Sequence, residues 1–275
     1  MKQSSFDYYA SKKYFVNKGI IVTGATGGIG SLLTKTLCDL GAKVVAVIKD
    51  EKKFKDIFRS YLNNYSLQYE KMDFCEEINV KEDFSDIMSK LGGKLDIMFL
   101  CHGRFDTSEF VETTLKDYDK AVNTNTRSIM TMLSLATPFL KLTKGNVVAI
   151  SSLESYLPVK SSFLNTVTKS MVNMIIQSSA LELASFGVRI NGVAPGITNT
   201  NLRVGVNEDF HENENNLYMQ KMGSYNLLEQ SVIQPEDIVE TMLFLGSDDA
   251  GFVTGEIIKV DNGYSLNHDL SFTSQ

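Results

Sequence analysis

Short β-branched apolar runs alternate along this chain with longer amphipathic stretches, a pattern that predicts stacked βαβ units on a parallel sheet. The predicted strands are residues 19–23, 43–48, 67–72, 95–101, 146–151, 188–194 and 257–260. Several are apolar throughout, as expected of strands covered by helices on both faces. The helical patterns between them include residues 29–40, 117–142, 166–186 and 235–245. No internal repeat, Pro/Ser-rich linker or low-complexity tract divides the chain. The reading is therefore one α/β domain over 18–266, an N-terminal extension over 1–17 and a tail over 267–275. Residues 1–16 have no predicted place in the core. Residues 201–233, polar and dotted with Tyr218, Met219, Met222 and Tyr225, read as a lid-like insertion between the last two strands.

The first strand runs straight into glycines. Ile20-Ile21-Val22-Thr23 leads to Gly24-Ala25-Thr26-Gly27-Gly28-Ile29-Gly30, and a helical pattern follows. That order suits a dinucleotide: the strand delivers a tight turn, and glycines let the main chain approach the pyrophosphate. The new helix then offers free N–H groups and its positive dipole end. Thr23, Gly24, Gly28, Ile29 and Gly30 are the expected cradle. The second strand closes on Val47-Ile48-Lys49 with no carboxylate at its end. Lys49 can neutralise a ribose 2′-phosphate, which favours NADP(H) over NAD(H), while Asp50 next to it keeps NAD open. Asp73, past the third strand, is placed for the adenine edge or for capping the next turn.

Composition narrows the setting. The chain carries 27 basic and 33 acidic residues for a formal charge of −6, which disfavours nucleic acid or an anionic membrane as the main partner. A hydrophobic share of 43% supplies a proper core. Cys38, Cys75 and Cys101 are too widely spaced for a zinc knuckle or a redox pair, so no metal is expected and a reducing compartment is. No apolar run reaches the roughly 18 residues of a membrane span, and the first residues make neither a signal peptide nor a convincing transit peptide. The expectation is a soluble cytoplasmic protein, with organelle import left open.

Further segments, in order, resemble the short-chain dehydrogenase/reductase family. Residues 23–30 resemble its TGxxxGxG turn, and Ile150-Ser151-Ser152 the strand end with its catalytic serine. Val188-Arg189-Ile190-Asn191-Gly192-Val193-Ala194-Pro195-Gly196 looks like its RxNxVxPG segment, and Thr200 stands where the family contacts the nicotinamide amide. Pro235-Glu236-Asp237-Ile238 and Val253-Thr254-Gly255 through Asp261-Asn262-Gly263-Tyr264 match its closing segment. The resemblance covers about residues 18–266. It implies a doubly wound, seven-stranded parallel Rossmann sheet, a bound nicotinamide dinucleotide, and commonly a homo-oligomer. Family members move hydride between nicotinamide and a carbonyl or alcohol, with a tyrosine as general acid or base. Carried over by position, Ser152 is the serine, Lys169 the lysine and Asn125 the relay asparagine, with Asn123 a weaker candidate. Gly103, Pro195, Gly196 and Thr200 fall on cofactor positions.

The tyrosine is missing. Its place, one helical turn before Lys169 and thirteen residues after Ser152, holds Asn165. A carboxamide has no usable proton near neutral pH. Tyr156–Lys160 and Tyr8–Lys12 match the bare YxxxK spacing but fall in a loop and ahead of the first strand. The family's Asn-Asn-Ala-Gly strand end is here Leu100-Cys101-His102-Gly103, so two bracing amides are absent. His102 is a candidate replacement acid by intrinsic pKa, with a structural histidine as the plainer reading, and Cys101 reads as a small packing residue. The resulting expectation is an NAD(P)(H)-binding homologue with a degraded catalytic tetrad, of low or no activity, acting as scaffold, sensor or assembly subunit. The alternatives are an active tyrosine-less reductase of the enoyl- or dienoyl-thioester type and a carbonyl reductase with a substitute acid.

Overall fold

The computed structural model describes residues 3–62, 66–74, 80–107, 109–200, 220–221, 223–228 and 231–267. Seven parallel strands form one sheet in the order β3-β2-β1-β4-β5-β6-β7. They are β1 (Gly19–Thr23), β2 (Lys43–Ile48), β3 (Leu67–Lys71), β4 (Ile97–Leu100), β5 (Asn146–Ile150), β6 (Arg189–Pro195) and β7 (Ile257–Val260). The sequence reading placed all seven within two residues at each end. It ran two residues too far ahead of β4, where Leu95 is apolar but unpaired with the sheet.

Side-chain alternation assigns the two faces. Ile20, Val22, Val44, Ala46, Phe99 and Val148 enter one core, and their neighbours Ile21, Val45, Met98 and Val147 enter the other. Each of these side chains larger than alanine, fully buried, contributes about 1.5–3 kcal/mol, which is why near-continuous apolar runs are needed here. The first core is closed by α2 (Gly28–Asp39), through Leu33 and Leu37, and by α8 (Pro235–Gly246), through Val239 and Met242. The second is closed by α4 (Val80–Lys90), α6 (Ser128–Thr143) and α7 (Phe163–Leu183). A short α3 (Glu51–Ile57) follows β2, with Asp50 accepting from the Lys53 N–H at 3.0 Å as its N-cap.

Two expectations need correction. Residues 1–16 do reach the core: α1 (Gln3–Lys12) leads to Phe15, which is fully buried, and Tyr9 is buried beside it. The phenols of Tyr8 and Tyr14 both donate to Asp249, at 2.8 and 2.5 Å, a pairing 241 and 235 residues apart that no local pattern reveals. The helix predicted over 117–142 is not uniform. It consists of α5 (Leu115–Val122), a π-helical turn over Asn123–Arg127, and α6. The wide turn falls on Asn125, whose side chain is drawn toward Arg104 instead of solvent. Most of the expected lid, including Tyr218, Met219 and Met222, lies outside the described residues, as does the tail beyond Asn267. Of the rest, Ile233 is buried in the core and forms a parallel bridge with Thr198.

Candidate active site

Strand order reverses between β1 and β4, so the loops leaving their C-terminal ends diverge and open a crevice. A cavity of about 480 Å³ occupies it. The glycine turn forms its floor. Gly24 has φ +62° and lies so close to the His102 backbone that a Cβ would sit 2.7 Å from its Cα. A Cβ on Gly30 would meet the Gly24 carbonyl oxygen at 2.3 Å. Gly27, the N-cap of α2, has no side chain to cap the helix, so the first turn's N–H groups are open to an anionic ligand.

The residues present fit a dinucleotide. Gly24, Gly28, Ile29 and Gly30 line the cavity centrally. Lys49, Asp73 and Lys53 from α3 also line it, as do Gly103 beside the Lys169 ammonium, Pro195, Gly196 and Thr200, whose side chain packs over Gly28. Lys49 and Asp73 are ion-paired at 2.8 Å across the ends of β2 and β3. Thr23 is buried behind the turn and is not part of the lining. Lys53, Tyr264 and Glu154 also line the cavity; the sequence reading did not single them out.

His102 is a brace. Its Nδ1 lies 2.6 Å from Thr23 Oγ1 and its Nε2 lies 2.7 Å from Ser128 Oγ. Ser128 already donates to the Thr124 carbonyl, and Thr23 already accepts from the Cys101 N–H. The consistent arrangement has the imidazole donating from Nε2 and accepting from Thr23 at Nδ1. Burial, with Lys169 nearby, pushes its pKa down to about 3, and Phe74 stacks on the ring at 4.2 Å. A neutral ring with both nitrogens engaged has no proton to give a substrate. It ties β1 to β4 and the α6 entrance, where the family's amides are absent. Burial likewise raises the Cys101 thiol to about 12, which keeps it protonated.

On the opposite wall, Lys169 Nζ donates to the Ile150 carbonyl at 2.8 Å. Burial lowers its pKa to about 8. Asn125 lies just behind the wall: its Oδ1 accepts from the Arg104 N–H at 2.8 Å, and its Nδ2 donates to the Arg104 carbonyl and Thr168 Oγ1. Asn123 ends α5 and is not among the lining residues. Ser152 N-caps the turn Leu153–Ser155, its Oγ accepting from the Glu154 N–H at 3.2 Å. Asn165 is buried, and its Nδ2 donates to Glu154 Oε2 at 2.6 Å. A carboxylate and a carboxamide thus stand where a phenol is expected.

Neither YxxxK segment supplies the phenol. Tyr156 is 48% exposed, beside Lys259, and is not part of the lining. Tyr8 lies on α1 against Asp249. In the closing segment, Arg189 donates to the carbonyls of Leu245, Ser247 and Val253. Asn191 bonds Val253 and Glu256, so these two residues lock the end of α8 to the start of β7.

A family model described as enoyl-(acyl carrier protein) reductase matches residues 24–265. The chain belongs to the short-chain dehydrogenase/reductase family. Within the family it is 27% identical over 252 residues to the 3-oxoacyl-[acyl-carrier-protein] reductase FabG of Rickettsia typhi, covering 90% of this chain and 97% of that protein. Short-chain dehydrogenase reductase 3a of Arabidopsis thaliana is 28% identical over 249 residues, covering 90% and 94%. The fold matches a family member of unknown function from Caenorhabditis elegans, solved with cofactor. That match has a TM-score of 0.84 at 23% identity and covers 94% of this chain and 98% of that one. The nicotinamide-dinucleotide fold is thus established for this chain. Among the described residues no cluster of His, Cys, Asp or Glu is placed to hold a metal, and no helix is long and apolar enough to cross a membrane.

Proposed function

We propose that this short-chain dehydrogenase/reductase binds NADP(H) and has lost phenol-dependent interconversion of ordinary ketones and alcohols. The observation that carries the reading is the buried Asn165–Glu154 hydrogen bond at the position of the acid. When bound, the nicotinamide supplies or accepts hydride. Lys169, Gly103, Pro195, Gly196 and Thr200 would hold its ribose and amide, and the α2 N-terminus its pyrophosphate. Ser152 would donate its O–H to a polar substrate atom, since its oxygen is already occupied as an acceptor by Glu154 N–H.

Preference for NADP(H) rests on charge. Lys49 and Lys53 both line the adenosine end, whereas the carboxylate of Asp50 is engaged as the α3 N-cap. The Lys49–Asp73 ion pair leaves the trio Lys49, Lys53 and Asp73 at a net charge of +1, suited to a 2′-phosphate. An active, phenol-independent reductase is favoured over a pure scaffold by the wall beyond the cofactor positions. Phe105, Leu153, Leu157 and Val159 keep it apolar and roomy, a lining that a protein with no ligand to hold would not need. Assembly as a homo-oligomer is supported by Met130, Met174 and Leu181, exposed apolar residues on α6 and α7. The test is turnover of simple ketones with NADPH by the natural chain and by Asn165→Tyr. The reading expects none from the first and a gain from the second. Brisk ketone reduction by the natural chain would sink it.

A further inference from the structure

Ser152 and Lys169 come from different elements, the loop after β5 and the helix α7, and both line the cavity. Asn173 ties the two elements together. It is buried, and it lies one helical turn beyond Lys169 on the same face of α7. Its Oδ1 accepts from Ser151 Oγ at 2.5 Å, and its Nδ2 donates to Ser155 Oγ at 2.8 Å. Ser155 Oγ in turn donates to the Ser152 carbonyl at 2.6 Å. One carboxamide thus grips the chain on both sides of Ser152. The neighbouring Ile150 carbonyl receives Lys169 Nζ at 2.8 Å, so successive turns of α7 hold successive residues at the β5 end. The fold alone does not ask for this. β5 is already paired on both sides, and Val172 and Ile176 already bury α7 against the sheet. A leucine of similar shape would pack here without the desolvation cost of a carboxamide.

We propose that Asn173 is a positioning residue, which holds the Ser152 hydroxyl and the Lys169 ammonium in register across the seam between β5 and α7. The proposal rests on the reading that Lys169 meets the cofactor ribose and Ser152 a substrate atom. Asn173 and Ser155 do not line the cavity themselves; Ile150, Ser151 and Ser152 do, and the effect passes through them. When the clasp is cut, the β5 end parts from α7, the Ile150 carbonyl leaves Lys169 Nζ, and water reaches the ammonium. The burial that keeps its pKa near 8 is then relieved, so the proton is held to higher pH. The other titratable groups around Lys169 are Cys101, His102 and the Arg104–Asp106 pair after β4, and Glu154 on the serine turn. All of them are kept in the variants below.

The test follows Lys169 itself, in the full chain without cofactor, by NMR of lysines carrying carbon-13 at Cε; Lys169→Met assigns its signal. In the natural chain it should titrate near pH 8. Asn173→Leu, and Ser151→Ala, which cuts one end of the clasp, should each move the titration upward by about one pH unit. The double variant should add little to the larger single shift, since both changes cut one connection. NADPH affinity at neutral pH should fall about 5- to 10-fold in each, the scale of one displaced charged hydrogen bond. Asn146→Leu is the control for lost stability alone. Asn146 is a buried carboxamide at the opposite end of β5, bonded to the Leu245 and Gly246 carbonyls; its loss should destabilise the chain and leave Lys169 unmoved. If Asn173→Leu does not fold, Ser151→Ala decides. An unmoved titration, the same shift in Asn146→Leu, single shifts that simply add, or NADPH affinity indifferent to the clasp overturns the proposal. So does a natural Lys169 that titrates like a free lysine. If the natural chain fails to bind NADPH at all, the cofactor reading falls and takes this one with it. Intact NADPH binding with an unmoved titration brings down this one alone.

Discussion

Replacing His102 by Gln provides a quantitative test of the brace between β1, β4 and α6. In the folded chain the imidazole stays neutral down to about pH 3, whereas the free side chain takes up its proton near 6.5. Between those values the unfolded state binds more protons, so stability must rise with pH across that window and fall on acidification. At about pH 5 the unfolded imidazole is almost fully charged and the folded one is not. The loss from about pH 7 to pH 5 is then about 2 kcal/mol, on the way to a ceiling near 5 kcal/mol at still lower pH. His102→Gln removes this slope while retaining a donor and an acceptor for Ser128 and Thr23. Urea unfolding of both proteins at the two pH values measures the difference directly. The other two histidines of the chain are common to both proteins and cancel. An identical pH dependence in the two proteins would refute the neutral, doubly bonded imidazole and reopen His102 as an acid.

Asn165→Tyr restores a phenol one turn from Lys169, and ketone reduction should rise by at least about 10²-fold, the lower range for a placed general acid; no gain alongside intact NADPH binding would mean that Ser152 and Lys169 are not competent. Lys53→Ala should weaken NADPH about 5- to 10-fold at low salt, leave NADH nearly unchanged, and lose its effect as ionic strength rises, all read by equilibrium titration. NADPH affinity should decline as pH rises through about 8, where Lys169 loses the proton with which it can donate to a ribose oxygen; Lys169→Met should abolish that dependence. Arg189→Met deprives the carbonyls of Leu245, Ser247 and Val253 of their guanidinium donor, and should cost about 2–4 kcal/mol in denaturant unfolding.

The sheet was readable because its strands are buried on both faces, and burial on both faces writes itself as a run of Val and Ile such as residues 43–48. The glycine turn was equally plain, since close backbone approach at Gly24 and Gly30 tolerates no side chain. Asn165 was found by counting, which works where a helix fixes the spacing to Lys169. What escaped depends on partners distant in sequence. Thr23 and His102 are 79 residues apart, so the imidazole's bracing geometry has no local signature, and the plainer structural reading of His102 was only one of two. The Tyr8 and Tyr14 bonds to Asp249 anchor a segment whose own pattern suggested no place in the core. The π-helical turn at Asn123–Arg127 falls where Asn125 bonds the Arg104 backbone, 21 residues away, a tertiary contact that a helical periodicity cannot report. Glu154 had a faint signal: a carboxyl two residues after the serine, in a strand-end loop leading into apolar residues. Its hydrogen bond to Asn165, eleven residues on, is a tertiary contact with no local signature.

The measurement that bears most directly on the account is a titration of the natural chain with NADPH and with NADH, followed in the same samples by addition of a simple ketone. The account predicts saturable binding with NADPH the tighter ligand, and no nicotinamide oxidation when the ketone arrives. Tight NADPH binding followed by rapid ketone-dependent oxidation would contradict the claim that Asn165 has separated holding the cofactor from ordinary carbonyl chemistry. Absence of binding would contradict the cradle itself.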